Sequence, residues 1–326
     1  MRGIADQYRI IESGAGWRRR IERGRLRFDG ADRLAFLQAL ITNDVGTLAP
    51  GQGCYAAYLT PQGRMIADLH VFARQEHLVA DVPAANAAAL ADAFDRLIFT
   101  EQVQVEDVSQ RLTQISIVGG AAGSIAAAAL GLDTKDLRSL SIWSHAGTAT
   151  GFVVKTDATS LDSYDIVMPA GDESTIAAAL QQAGAIELSN DLWTSLRIDA
   201  GRPEFGADMD TDTIPLESGL LERAISTSKG CYVGQEVIIR VLHRGGGRVA
   251  RRLVKLDVDA ALPPPAGASI RSGDRDVGRV TSAALSPDGT KIIALAYVHR
   301  DVAQPGQVVA VEHSGTVSAI IAALAG

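Results

Sequence analysis

Two hydrophobic periods alternate along the chain. Leu26-Arg27-Phe28 reads as a short strand and Asp29-Gly30-Ala31 as a turn. Leu34, Phe36, Leu37, Leu40 and Ile41 form the apolar stripe of a helix, with Asp29 or Asp32 as its cap, and Thr42-Asn43-Asp44-Val45 ends it. Tyr55 to Leu59 and Met65 to Phe72 predict a hairpin across Pro61-Gln62-Gly63-Arg64. Leu78 to Val82 follows as a strand, Ala84 to Phe99 as a helix and Val103 to Val105 as a returning strand. The plan then repeats. Gln114 to Val118 is a strand, Gly119-Gly120 a turn and Ala121 to Leu130 a helix. Strands are expected at Leu140 to Trp143, Phe152 to Lys155 and Tyr164 to Met168, then a helix to Gln182 and a closing strand at Ile186 to Leu188. Val82-Pro83-Ala84 in the first pass is echoed by Met168-Pro169-Ala170 in the second. The pattern predicts two α+β units of ferredoxin-like plan, packed as pseudo-repeats and not bound to follow sequence order.

Asn190 to Ala200 predicts a helix capped by Ser189 or Asn190 and stopped by Gly201-Arg202-Pro203. Asp208, Asp210 and Asp212 have the spacing of calcium ligands. Counted from Asp208, however, the sixth and twelfth places hold Thr213 and Gly219, not Gly and a carboxylate, so the segment is expected to be a polar surface loop. Beyond Arg251, six short apolar runs separated by Pro- and Gly-rich turns predict a small β-barrel. The expected organisation is residues 1–245, holding two units of about 1–110 and 111–245, then a barrel over 246–326.

Composition narrows the function. The 326 residues are 47% hydrophobic and 21% charged with a net charge of −7, which fits a globular protein and no general polycation. Cys54 and Cys231 are far apart and in no C-x-x-C pair, as expected in a reducing cytoplasm. Met1 to Gly16 lacks the apolar run of a signal peptide, and no stretch approaches a membrane span. Arg18 to Arg20 with Arg23, Arg25 and Arg27 are expected on a solvated face. Arg240, Arg244, Arg248, Arg251, Arg252 and Lys255 form a basic strip broken by Gly245-Gly246-Gly247. Nucleic-acid phosphate, a folate glutamate tail or an acidic protein would each suit it. No aromatic residues interleave with these charges, which weighs against single-stranded RNA. None of the six His lies in an H-E-x-x-H pattern, and no P-loop, G-x-S-x-G or G-x-G-x-x-G is present.

Lys229-Gly230-Cys231-Tyr232-Val233-Gly234-Gln235-Glu236 stands apart. A free Cys is usually a small buried hydrophobe. Here two Gly bracket the thiol, and Lys229 and Arg240 are cations of the kind that favour a thiolate. Glu217 lies in the otherwise apolar run Ile214 to Leu220, so it must be hydrogen-bonded, salt-bridged or facing a cavity.

The eight-residue run matches K-G-C-Y/F-x-G-Q-E throughout and resembles the YgfZ proteins. These are folate-binding relatives of the glycine-cleavage T-protein (aminomethyltransferase), implicated in iron–sulfur cluster assembly or repair. The strand, turn and T-N-D-V at the N-terminus, Pro215-Leu216-Glu217-Ser218-Gly219-Leu220, and the C-terminal strands resemble the T-protein as well. The resemblance implies a three-lobed α+β fold with tetrahydrofolate or a derivative at its centre, held by Glu217, Asn43 and Asp44. It implies that Cys231 is the functional thiol, tuned by Lys229 and Arg240. Gly230, Tyr232, Gly234, Gln235 and Glu236 would then shape its loop. Partners would be folate and iron–sulfur client or carrier proteins, with a transient cluster shared between chains, because one or two thiolates cannot complete one. The transferase's Asp, expected in the segment matching Asp81 to Leu90, is replaced by Ala or Leu, with Asp92 one turn away. This favours an accessory factor over an aminomethyl transferase or an RNA-linked factor.

Overall fold

In a computed structural model, residues 3–244, 247–313 and 315–326 of the chain are described. Gly245 and Gly246, read above as a break in the basic strip and as the domain boundary, lie outside them. One antiparallel sheet runs in the order Gly53–Leu59, Met65–Ala73, His77–Pro83, Arg23–Asp29, Gln104–Asp107. Strand side chains alternate between faces. Leu26 and Phe28 therefore join Phe36, Leu37, Leu69 and Phe94 in a core beneath the helices Arg33–Leu40 and Ala87–Asp95. Arg23 and Arg25 take the opposite face.

The second sheet has six strands, ordered Ile186–Glu187, Gly16–Arg19, Leu112–Val118, Ser163–Pro169, Phe152–Thr156, His145–Gly147. Within it Gly16–Arg19 and Ile186–Glu187 pair in parallel, and the other pairings are antiparallel. Trp17, Ile115, Tyr164 and Ile166 pack under helices Ala122–Leu130 and Glu173–Gln182. The strand Gly16–Arg19 belongs to this sheet although its successor, Arg23–Asp29, belongs to the other, so the units interleave. The echoed Pro explains itself. Pro83 and Pro169 have φ of −58° and −53°, and each starts one 3-10 turn that feeds a helix.

The uncovered faces of the two sheets meet. Part of the contact is apolar, built from Phe72, Val79, Phe152, Val154 and Val167. The rest is charged, and it corrects the expectation of a solvated arginine face. Arg23 and Arg25 are buried. Arg23 binds Asp81 at 2.9 Å and Asp68 at 2.8 Å, and Arg25 reaches across to Gln114 Oε1 at 2.9 Å. Arg18 and Arg20 lie over the Trp193 ring at 5.1 and 5.0 Å.

The C-terminal strands close a barrel in the order Arg251–Val258, Ile292–His299, Arg275–Leu285, Ser269–Ser272, Val308–Glu312, Thr316–Leu324. Helix Asn190–Asp199, capped by Ser189, ties this barrel to the sheets. Its Arg197 binds Asp208 at 2.5 Å, and Asp208 accepts from Ser282 at 2.7 Å and Thr281 at 2.5 Å. Asp208 is thus a buried hub, not part of a polar surface loop, because Arg197 supplies its counter-charge. Helices Ile4–Ser13 and Thr134–Ser139 are additions to the sequence reading. Leu140 to Trp143 is no strand: Trp143 has φ +67°, outside the β region. No helix among the described residues is long and apolar enough to cross a membrane.

His145 joins the sheets, with Nε2 at 3.0 Å from Ala73 O and Nδ1 at 3.2 Å from Arg74 Nη1. Burial, then the Arg74 charge, pushes it down to about 4. Between that value and the ordinary 6.5 the unfolded chain binds the extra proton, so acidification across this window removes stability, by up to about 3 kcal/mol. Urea unfolding at pH 7 and pH 4.5 should show the loss in wild type and a smaller one in His145→Gln.

Candidate functional site

The Cys231 loop is held by its neighbours, but not as expected. Lys229 Nζ donates to Gln38 O at 2.6 Å, Ile41 O at 2.6 Å and Asn43 O at 3.0 Å. An ammonium has three donors, and all three are spent on carbonyls at the C-terminal end of helix Arg33–Leu40. Burial pushes the group down to about 8. Lys229 therefore clamps the loop to the end of that helix. Arg240 pairs with Glu236 at 2.5 Å, one turn along its helix, and that pair too is spent locally. Tyr232 is buried beneath Lys229, whose Nζ lies 5.1 Å from the ring centroid. Gly234 has φ +82°, and a Cβ there would sit 2.5 Å from Thr60 O, so only Gly fits. Gly230 faces open space. Gln235 begins the helix Gln235–Ile239. Cys231 itself is exposed, whereas Cys54 is buried and its thiol pushed up to about 12. Burial disfavours a thiolate at Cys54, which marks Cys231 as the accessible thiol.

A cavity opens where the charged sheet contact meets the helix Asn190–Asp199. Tyr55, His70 and Trp143 form its aromatic wall, a stack with centroid spacings of 4.6 Å on each side of His70. His70 Nδ1 lies 3.2 Å from Asp81 Oδ2. Burial opposes ionisation of Asp81, but Arg23 and then His70 hold its carboxyl well below the usual range. Asp81 backs His70 without lining the cavity, whereas Asp165, in the wall, goes the other way: burial outweighs the pull of Arg20 and raises it. Two carboxyls pushed apart by their surroundings, one of them supporting an imidazole, are the arrangement acid–base chemistry uses. Also in the lining, Arg223 grips Asp157 with two bonds of 2.9 and 2.8 Å, and Arg202 lies 3.2 Å from the same carboxylate. Two features point to a ligand. Trp143 holds a left-handed backbone conformation that costs a bulky residue about 1–3 kcal/mol. Thr156 lines the cavity, and its Oγ1 is buried with no hydrogen-bond partner.

Glu217, Asn43 and Asp44 do not line this cavity. Glu217 is buried beside the barrel and its carboxylate binds Arg251 at 2.9 Å. Its apolar setting is balanced by that guanidinium, and it lines a different groove, not the central cavity. Asn43 Nδ2 donates to Tyr55 O at 2.8 Å, and Asp44 accepts from Gln38 at 3.0 Å; both brace the turn that Lys229 grips. The basic strip is divided likewise: Arg251 faces Glu217, Lys255 faces Asp199 at 3.2 Å and Arg240 faces Glu236, which neutralises half of it. The cavity residues escaped the sequence reading. Asp68, His70 and Asp165 were visible as polar residues inside apolar strand runs, a signal that was there to use.

The two interleaved sheet units and closed barrel are those of a T-protein-like fold. The GCVT N-terminal domain model matches residues 2–229, and the glycine cleavage T-protein C-terminal barrel domain model matches residues 251–324. The chain belongs to this family. The Cys231 loop falls between the two matched segments. An aminomethyltransferase of Synechococcus elongatus is 30% identical over 328 residues, 96% of this chain and 85% of its own length. One of Thermus thermophilus is 29% identical over 282 residues, 86% of this chain and 78% of its own. The crystal structure of glycine cleavage system aminomethyltransferase T from Bartonella henselae superposes with a TM-score of 0.88 at 21% identity, covering 98% of this chain and 88% of that one, which shows a shared fold.

Asp81→Asn should cost about 3 kcal/mol in urea unfolding, because it leaves a buried guanidinium short of charge. Thr156→Val, which removes an orphaned hydroxyl, should leave stability unchanged or raise it by about 1 kcal/mol.

Proposed function

We propose that the protein binds tetrahydrofolate or a derivative in the central cavity and helps assemble or repair iron–sulfur clusters through Cys231, as its resemblance to the YgfZ proteins implies. The observation that carries the reading is an exposed thiol on a loop locked to helix Arg33–Leu40 by Lys229. A thiol so presented meets a partner without a loop rearrangement. Among the described residues no three His, Cys, Asp or Glu side chains gather as a metal site. A cluster handled here would be cargo, with most ligands supplied by other chains or small thiols.

The cavity's chemistry suits a folate. Asp165 and Glu204 are acceptors for the N–H edge of a pterin, the Tyr55–His70–Trp143 stack offers a flat wall, and Arg20 and Arg202 suit its carboxylates. The free space is about 70 Å³, below the roughly 300 Å³ at which small-molecule pockets begin, so the ring must displace rim side chains. Bound tetrahydrofolate would supply a carrier for one-carbon units. The helix Ala87–Asp95 lends no side chain to the cavity and its Asp92 is exposed. This weighs against the aminomethyl transfer that the likeness to aminomethyltransferases along most of the chain otherwise favours.

Trp143 and Trp193 line the cavity, so tetrahydrofolate should quench intrinsic fluorescence. Thr156→Val should weaken binding about fivefold, the worth of one hydrogen bond, and Cys231→Ala should leave it unchanged. In cells lacking the protein, wild type should restore the activity of a [4Fe–4S] enzyme at constant client level, and Cys231→Ala should not. Full rescue by Cys231→Ala would remove the thiol from the function. Sustained aminomethyl transfer by the purified protein would replace the accessory reading with an enzymatic one.

A further inference from the structure

At the far end of the sheet contact from the central cavity lies a second groove, of about 560 Å³. Its floor is apolar, with Val79, Phe152 and Val167 from facing strands. Its cations are Arg27, Arg74 and Arg111, with His77 beside them, and none of its lining residues is an acid. In a chain of net charge −7 that exclusion is selective. The three guanidinium groups are not equivalent. Arg27 binds Asp29 with two bonds of 2.7 Å, and Arg111 pairs with Glu106. Arg74 is half-buried, and its side-chain partner is the imidazole of His145, 3.2 Å away. The tautomer follows from the bonds: His145 Nε2 donates to Ala73 O, so Nδ1 accepts from Arg74 and carries no charge to offset it. Arg74 Nη2 donates to Gly151 O at 3.4 Å, and its guanidinium carbon lies over Phe152, 4.6 Å from the ring centroid. A partly desolvated charge without a counter-ion is costly, and an anion in the groove relieves it.

We propose that this groove binds a small amphipathic anion, a carboxylate or phosphate ester with an apolar ring or chain. Its head sits on Arg74, with His77 at the rim, and its body covers Phe152, Val79 and Val167. The site is independent of the central cavity.

The test is calorimetric titration of the full-length protein at matched ionic strength with phenyl phosphate, benzoate, inorganic phosphate and phenol. Phenyl phosphate or benzoate should bind, inorganic phosphate should bind at least fivefold more weakly, and phenol should give no saturable heat. Which aromatic anion binds better separates a phosphate from a carboxylate ligand. Arg74→Gln should weaken the better anion at least tenfold, and Arg111→Gln, at a cation Glu106 already holds, less than twofold. Arg74→Lys keeps the charge without the planar fork and should lie between; it decides the matter should Arg74→Gln not fold. Equal binding by wild type and the Arg74 variants, or no binding of either aromatic anion to wild type, overturns the proposal.

Discussion

Arg23 sits between Asp68 and Asp81 in the contact of two β-sheets, and the rest of the molecule is arranged around that cation. A buried guanidinium survives only with its charge matched and its donors used. Here two carboxylates and the Asp81 carbonyl do so. Matching one charge brings in others: Asp81 orients His70, Asp68 takes the Tyr55 hydroxyl at 3.1 Å, and Arg25 extends the network through Gln114 to Asp165 at 2.8 Å. The sheets are therefore joined by an apolar half, which supplies burial, and a polar half, which sets their register and leaves room for a cavity. Two fully apolar faces would close on each other without leaving such a space.

The turn Arg20-Ile21-Glu22 makes this arrangement hard to undo. It passes the chain from the second sheet to the first, so neither unit is complete without residues beside the other. Ion pairs continue the joining. Arg202 and Arg223 share Asp157, Arg202 Nη1 also donates to Gly326 O at 2.9 Å, and Arg197 and Asp208 reach the barrel. The cavity lies where sheets, helix and C-terminus meet, which is why its lining comes from so many parts of the chain.

Rigidity and exposure are divided between two places. In the cavity, strain at Trp143 and an unpaired Thr156 hydroxyl are held by surrounding packing, as expected where structure is shaped for a ligand. At the Cys231 loop the reverse holds: Lys229, Tyr232 and Gly234 are fixed, and the thiol is left in solvent. The two family models cover the cavity-bearing part of the chain and the barrel, and the thiol loop falls between the segments they match.

The periodicity of apolar residues was enough to predict the barrel strands, the repeated strand–Pro–helix units and the helix begun by Ser189, because these depend on local spacing and turn chemistry. The eight-residue motif marked out Cys231 for the same reason. Partners distant in sequence were not legible. Lys229 stands two residues from the thiol, and nothing in the sequence says that it also clamps Gln38, 191 residues away. Glu217 looked like a ligand acceptor and answers Arg251. Arg23 and Arg25 looked like part of a solvated face and are the buried centre, whereas Arg19 and Arg27 do remain partly in solvent. A charge in a sequence carries no record of its counter-charge, and the cost of burying it is settled only when folding brings that partner within about 3 Å. The sequence by itself determined the barrel strands, most elements of the two sheet units and the thiol motif; tertiary structure alone decided which charges pair, and so where the cavity lies.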